Sequence, residues 1–403
     1  MSDPRPITDV ISDHPWVGRA RHAGDEVVVE PHAGAVAVRP VLGALVREHL
    51  EHWSEVYEWI YLTSHGQPSD LDLSGWRASD TGEPLPREHM LEWIDRTVQL
   101  VREGEPRCVL ELGCGTGLLL RRLCADVERY VGTDVSEAAV ERLAAAGLPG
   151  VRVVLAAAHE SGSPEVAAAL EGRRPDCVLI NSVTQCFPGR DYLDAVVTDA
   201  LALVADGGRV IVGDFRHAGL AGRYHRWLSS DDEEAARRAA ADEEFVFDPR
   251  LLAEIAARCG RRVTMSVRAK TMTADTELTR YRCDVVLHVT PPASETGGED
   301  TAGIPNALLC DDPSAVAPHV LRERIAGTGA VVGLDLADPT RLRVCPPTGD
   351  PVALIPPAGP APADPIVRFV AGRLAEAVRD HLDRMRPGAP QPAVRVEWDG
   401  GTR

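Results

Sequence analysis

From Arg107 onward, short apolar runs alternate with stretches of helical length, and this rhythm constrains the fold more than any other feature of the chain. The runs are RCVLELG (107–113), ERYVGTD (128–134), VRVVLA (151–156), DCVLIN (176–181) and GRVIVGD (208–214). Between them lie GLLLRRLCADV, SEAAVERLAAAG, PEVAAALEG and RDYLDAVVTDALALV, each amphipathic at a period near 3.6. Strands so uniformly apolar belong inside a sheet covered on both faces, and strand–helix alternation produces parallel crossovers. The fold class expected is therefore α/β, a doubly wound, Rossmann-like sheet. A charged, Ala-rich segment (229–245) and a helix (248–260) follow, then the runs RRVTMSV and RYRCDVVLHV. That last pair would close the sheet as a hairpin and bring it to seven strands.

The flanks read differently. Residues 43–100 carry two helical patterns around the loop DLSGWRASDTGEPLP, and Trp53, Trp59, Trp76 and Trp93 fall here in a chain with only 4% aromatic residues. Such a concentration suits a helical cap over a pocket, or an ordinary helical core. Residues 290–300 read as a linker and 345–365 as an extended, Pro-rich connection. The expected division is a 1–42 N-terminal α/β segment, a 43–100 cap, a 101–290 core domain and a 291–403 extension.

Composition excludes several classes. With 403 residues, 43 basic and 61 acidic side chains, a net charge of −18 and 44% hydrophobic residues, the chain suits two or three packed domains and repels phosphate backbones. No nucleic-acid partner is expected. No apolar run of about 18 residues and no basic leader stand out, so neither membrane insertion nor secretion is expected and the location anticipated is cytoplasmic. Nine cysteines, odd in number and without a C-x-x-C pair, read as reduced core thiols, and no metal is assigned.

Chemistry concentrates at Glu111-Leu-Gly113-Cys-Gly115-Thr-Gly117, which follows a strand and opens a helix. Glycines at alternate positions let the backbone turn tightly and approach a ligand. The dinucleotide fingerprint G-x-G-x-x-G fails at Leu118. What fits is E/D-x-G-x-G-x-G, the S-adenosylmethionine turn of class I methyltransferases, which implies that cofactor and S-adenosylhomocysteine as product. Asp134, 23 residues beyond Glu111, ends the second strand, where it can accept both ribose hydroxyls or cap the helix that begins at Ser136. Ala158 and His159 fall after the third strand, where adenine would lie. Asn181 and Ser182 end the fourth, at the carboxyl edge where such sheets bind ligands; Asn181 can hold the cofactor's carboxylate or cap the next helix.

Several segments extend the likeness. INSVTQCFP (180–188), GWRASDTGEPLPREHMLEW (75–93), GGRVIVGDFRHAGL (207–220), ELTRYRCDVVLH (277–288) and GIPNALL (303–309) resemble the methyltransferase domains embedded in nonribosomal peptide synthetases, over about residues 48–345. Asp80 and Cys186 stand where that family is expected to carry tyrosines, which implies a changed acceptor pocket bordered by Gln185 and Cys186. In the family the methyltransferase often interrupts the small subdomain of an adenylation domain. Residues 6–40 and 364–398 look like the two halves of such a subdomain, so the termini are expected to build one α+β unit. The closing lysine segment is missing, and no ATP-dependent activation is expected.

Methyl transfer is an in-line displacement in which positioning does most of the work. A phenol or ammonium must also lose a proton, so a carboxylate or histidine is expected nearby. The candidates are Asp80 and Glu83 in the cap loop and Asp214 and His217 after the fifth strand, with Arg216 able to pair an acceptor carboxylate. Each has an ordinary alternative as a loop cap, a solvated charge or an ion pair. With neither a complete adenylation domain nor a phosphopantetheine serine motif in view, the expected acceptor is a free amino acid or derivative, with the phenolic oxygen of tyrosine foremost. The alternative is N-methylation of an amino acid delivered on a peptidyl carrier protein.

Overall fold

The structure, a computed structural model, describes residues 5–63, 71–290, 300–359, 362–398 and 400. Most of the expected linker, residues 291–299, lies outside them. The first strands, β1 (Val17–Ala23) and β2 (Glu26–Pro31), form an antiparallel pair. The five apolar runs form β3 (Cys108–Leu112), β4 (Arg129–Asp134), β5 (Val151–Leu155), β6 (Cys177–Asn181) and β7 (Arg209–Arg216). They are parallel and lie in the order β5-β4-β3-β6-β7. Every residue of β3, β6 and β7 is buried, because helices cover both faces. From β3 the strands are added outward to β4 and β5 on one side and then to β6 and β7 on the other, so the glycine turn after β3 opens at the crevice where the strand order switches.

The hairpin of β8 (Val263–Ala269) and β9 (Arg282–Val289) closes the sheet as expected, with β9 antiparallel between β7 and β8 and Ile211 paired with Val286. The sheet does not stop there. β10 (Thr301–Pro305), β11 (Val331–Leu334), β12 (Arg341–Cys345) and the two-residue β13 (Asp350–Pro351) extend it beyond β8, to 11 strands among the described residues. β11 reaches β8 through Gly333 opposite Arg268; a Cβ at Gly333 would fall 2.6 Å from the Val267 carbonyl. The stretch expected to be an extended connection thus gives β13, which pairs with Met265 and Thr264.

The chain ends meet. β14 (Ala393–Val396) pairs in parallel with β2, Val394 opposite Val27. The helix Pro365–Met385 lays Val370, Leu374 and Val378 on Val10, Ile11, Val27 and Val29, a core separate from that of the large sheet. The long helix Ala44–Thr63 joins the two bodies. Its first turns add Leu45 to the terminal core and pair Glu48 with Arg373 at 2.6 Å. Its last turns lie over the carboxyl edge of the large sheet, where Ser54 donates to the Val135 carbonyl at 3.3 Å and Glu58 accepts from the Ser136 hydroxyl at 2.5 Å. No helix among the described residues is long and apolar enough to cross a membrane.

Candidate functional site

Gly113, Gly115 and Gly117 all take positive φ, +79°, +51° and +84°. A Cβ at Gly113 would stand 2.3 Å from Val183, and one at Gly115 would stand 2.9 Å from the Tyr61 hydroxyl on the overlying helix. The turn is therefore both left-handed and closely covered. Asp134 fixes it: one carboxylate oxygen accepts from the Gly115 amide at 2.7 Å and the other from the Ser136 amide at 2.9 Å. Each oxygen keeps a lone pair for a further donor. Burial pushes the Asp134 pKa up against these amide hydrogen bonds. Glu111, 3% exposed, accepts from the Tyr130 hydroxyl at 2.8 Å, and burial pushes its pKa up to about 8.

Two adjoining cavities open at this edge and share Tyr57, Tyr61, Gly113 and Ser182. The first, about 120 Å³, has Asp134 at one end and otherwise apolar walls from Val135, Ala156, Ala157, Ala158 and Phe187. The second, about 180 Å³, is polar at its base (Glu111, Asn181, Gln185) and carries Trp76, Trp93, Ser79, Glu244, Glu277 and Arg282 on its walls. The Trp76 and Trp93 rings are 4.5 Å apart at 57°. Asn181 Oδ1 and Gln185 Oε1 are buried without a hydrogen-bond partner, so the base of this cavity presents acceptors that call for a donor. S-adenosylmethionine suits that pair of chambers: a nucleoside with donor hydroxyls for Asp134, and an ammonium for Glu111 and Asn181.

The structure brings Glu111, Gly113, Gly115, Asp134, Ala158, Asn181, Ser182, Gln185 and Cys186 to these cavities, while Gly117 packs against Leu143. Cys186 faces Tyr57 in the chamber shared with Asp134, so it borders the nucleoside end more than the acceptor end. His159 turns away, its Nδ1 hydrogen-bonded to the Tyr192 hydroxyl at 2.8 Å.

The structure places the expected proton acceptors as follows. Asp80 and Glu83 are exposed on the cap loop and line neither cavity, whereas Arg77 and Ser79 of that loop are at the rim of the second. Asp214 is fully buried at φ +60°, and its carboxylate is taken up by the Trp93 indole at 2.9 Å, the Ser182 hydroxyl at 2.7 Å, Lys270 at 3.1 Å and Arg282 at 3.2 Å. Burial alone would raise its pKa; Lys270 and Arg282 overcome that and hold it low. It positions its neighbours and has no open lone pair aimed into the cavity. His217 is 5% exposed, accepts from the Gly219 amide at 3.0 Å, and burial pushes its pKa down to about 4. Arg216 is committed to Asp242 at 2.8 and 2.9 Å and to Glu244 at 2.9 Å, and stacks on Tyr224.

Glu277, Glu244 and Arg282 also line the second cavity and were not singled out from the sequence. Glu277, 5% exposed, accepts from the Ser79 amide at 3.2 Å, and burial raises its pKa. The signal was present for two of them in the segment ELTRYR, whose Glu277 and Arg282 flank a turn of helix. Glu244 sits in the Ala-rich charged stretch, where an acidic residue reads as solvated.

Comparison with known proteins places these features. Residues 110–210 match the family described as a methyltransferase domain. Among curated proteins, CymA of Salinispora arenicola, described as a probable non-canonical nonribosomal peptide synthetase, is 36% identical over 60% of this chain. Chondramide synthase of Chondromyces crocatus is 30% identical over 62% of it, and the beauvericin nonribosomal cyclodepsipeptide synthetase of Beauveria bassiana 31% over 61%. The match spans 3%, 7% and 8% of those relatives' own lengths. Among solved structures, the N-methyltransferase NodS of Bradyrhizobium japonicum, in complex with S-adenosyl-L-homocysteine, aligns at a TM-score of 0.41 with 12% identity, covering 59% of this chain and 98% of that one. Residues 110–210 thus match a methyltransferase domain, and about 60% of the chain is similar to segments of nonribosomal peptide synthetases.

Proposed function

We propose, from a chain that carries such a domain, that the protein methylates a free amino acid or a close derivative in natural-product assembly, with the phenolic oxygen of tyrosine as the foremost acceptor. The observation that carries this reading is the second cavity: small, walled by two tryptophans, and bearing Glu277, Glu244 and Arg282 above the base formed by Glu111 and Asn181. Aromatic walls suit a planar side chain, and they hold it by offset or edge contact. The acidic groups suit an ammonium.

S-adenosylmethionine, when bound, supplies a methyl on a positively charged sulfur. The residues of the chain do the rest. Asp134 and the glycine turn hold the nucleoside, Glu111 and Asn181 hold the amino-acid end, and the helix Ala44–Thr63 covers both and excludes water. Trp76 and Trp93 orient the acceptor, with Trp93 fixed in turn by its hydrogen bond to Asp214. Glu277 takes the acceptor proton: it lines the cavity, has a backbone amide partner to orient it, and is made more basic by burial. The relatives are large peptide synthetases, which supports a second reading, N-methylation of an aminoacyl group on a carrier protein. A panel of free amino acids and carrier-loaded aminoacyl groups incubated with methyl-labelled cofactor separates the two. Label on free tyrosine supports the first, and label confined to the carrier-bound species supports the second.

A further inference from the structure

On the face of the large sheet between the helices Arg87–Arg102 and Pro318–Arg324 runs a groove of about 920 Å³, separate from both site cavities. Its floor is made by side chains that β8 and β9 send to one face, Arg268 and Lys270 from the end of β8 and Asp284 and His288 from β9, where Arg268 pairs across with Asp284. Such floors are ordinarily apolar and covered by a helix.

Three of the arginines along it make their short hydrogen bonds to backbone carbonyls. Arg209 donates to the Val101 carbonyl at 2.7 Å, Arg268 to the Pro347 carbonyl at 2.9 Å and Arg322 to the Thr271 carbonyl at 2.6 Å. Neutral carbonyls satisfy N–H groups and leave the charge in place. Among the described residues four carboxylates line the groove. Asp284 is engaged by Lys270 at 2.7 Å and by the Asp214 amide, and Asp176 accepts from the amides of Arg107 and Cys108. Glu103 accepts from Arg268 at 3.3 Å, Glu323 reaches Arg322 at 3.9 Å, and Glu92, beside the groove, reaches Arg96 at 3.6 Å. The crowding is visible in the titration of the groups themselves. Burial lowers the pKa of Arg268, with Glu103 opposing and Arg209 adding; burial lowers His288 to about 4, with Arg209 and Arg268 adding; burial lowers Arg322, with Arg96 adding and Glu92 and Glu323 opposing. One edge nitrogen of Arg96 is buried with no partner. Among the described residues Arg209 has no ion pair and the pairs of Arg268, Arg96 and Arg322 are long, so the five cations around a groove lined by four carboxylates can still take up an anionic group.

We propose that this groove is a binding site for a compact polyanion with the chemistry of a di- or triphosphate, held at two points, Arg209 with Arg268 at one and Arg96 with Arg322 at the other. Guanidinium forks match phosphate oxygens bidentately, and two clusters along one groove fit a ligand carrying more than one charged group. The site stands apart from the proposed acceptor and does not depend on it.

The test is a titration of the whole protein with inorganic tripolyphosphate, followed by calorimetry and thermal shift at constant ionic strength, with citrate and sodium chloride as comparators. Saturable binding that is at least tenfold weaker in Arg268→Gln and in Arg322→Gln, with S-adenosylhomocysteine affinity unchanged in both, is the expected result. Arg322 is partly exposed, so its variant remains informative should Arg268→Gln fail to fold. A thermal shift no larger than that of sodium chloride, or binding untouched by either substitution, would overturn the site. Citrate binding as tightly as tripolyphosphate would overturn the phosphate assignment.

Discussion

Glu111 and Asp134 are two carboxylates of the same turn with different duties, and single-residue predictions follow from their surroundings. Gly115→Val places a Cβ against Tyr61 at a left-handed φ, and Asp134→Ala removes the group that pins the Gly115 amide. Each should weaken S-adenosylhomocysteine binding by ~2 kcal/mol or more, some thirtyfold by calorimetry, with the protein still folded. Glu111 carries a pH signature. Its ordinary value is 4.5 and its folded value about 8, so between these limits the folded chain holds a proton that the unfolded chain has released. Stability contributed at this position therefore declines as pH rises through that window. Thermal melts of the ligand-free protein should flatten across it in Glu111→Gln; an unchanged slope would mean that Glu111 ionises freely. The glycine turn and Asp134 were legible because their spacing is dictated by backbone geometry. Glu277 was not, because nothing in a sequence distinguishes a buried carboxylate from a solvated one until its neighbours are known.

At the scale of elements, the strands β3 to β9 were legible as apolar runs of the right length. β10 to β13 were not: they are two to five residues long, interrupted by Gly and Pro, and polar on one side, as in β12, where Arg343 joins Asp300 and Asp350. The helix Ala44–Thr63 was legible as a helix, but its role as the cover of the site depends on contacts made far along the chain. Its hold on the cofactor edge rests on Glu58, which accepts from Ser136 and the Ala138 amide. Glu58→Ala should speed S-adenosylhomocysteine release about fivefold, the worth of ~1 kcal/mol of hydrogen bonding, in stopped-flow measurements, with little change in melting temperature. Equal release rates would mean that the cover is held by packing alone.

For the whole molecule, the two termini behave as one body. Val10, Ile11, Val27 and Val29 are completely buried or nearly so only because the helix Pro365–Met385 lies on them, and β2 has β14 as its second neighbour. Each such side chain stabilises by ~1.5–3 kcal/mol when buried. Deleting residues 364–403 should expose them, lower the melting temperature by many degrees in scanning calorimetry and raise binding of a hydrophobic dye. The same deletion removes the Arg373 partner of Glu48 and so loosens the root of the covering helix. An undiminished melting temperature would show that the N-terminal strands fold without the C-terminal helix.

In the function proposed here Glu277 removes a proton from an amino-acid acceptor in the cavity beside the cofactor turn. The most direct measurement is transfer of a labelled methyl group to free tyrosine, followed by mass spectrometry across pH for the wild type and Glu277→Gln. The account predicts one labelled methyl on the wild-type product. It predicts turnover lowered by roughly 10²- to 10⁴-fold in the variant near neutral pH, with S-adenosylhomocysteine affinity preserved, and a deficit that narrows toward pH ~10, where the phenol ionises unaided. Labelled product from Glu277→Gln at the wild-type rate at every pH would contradict it.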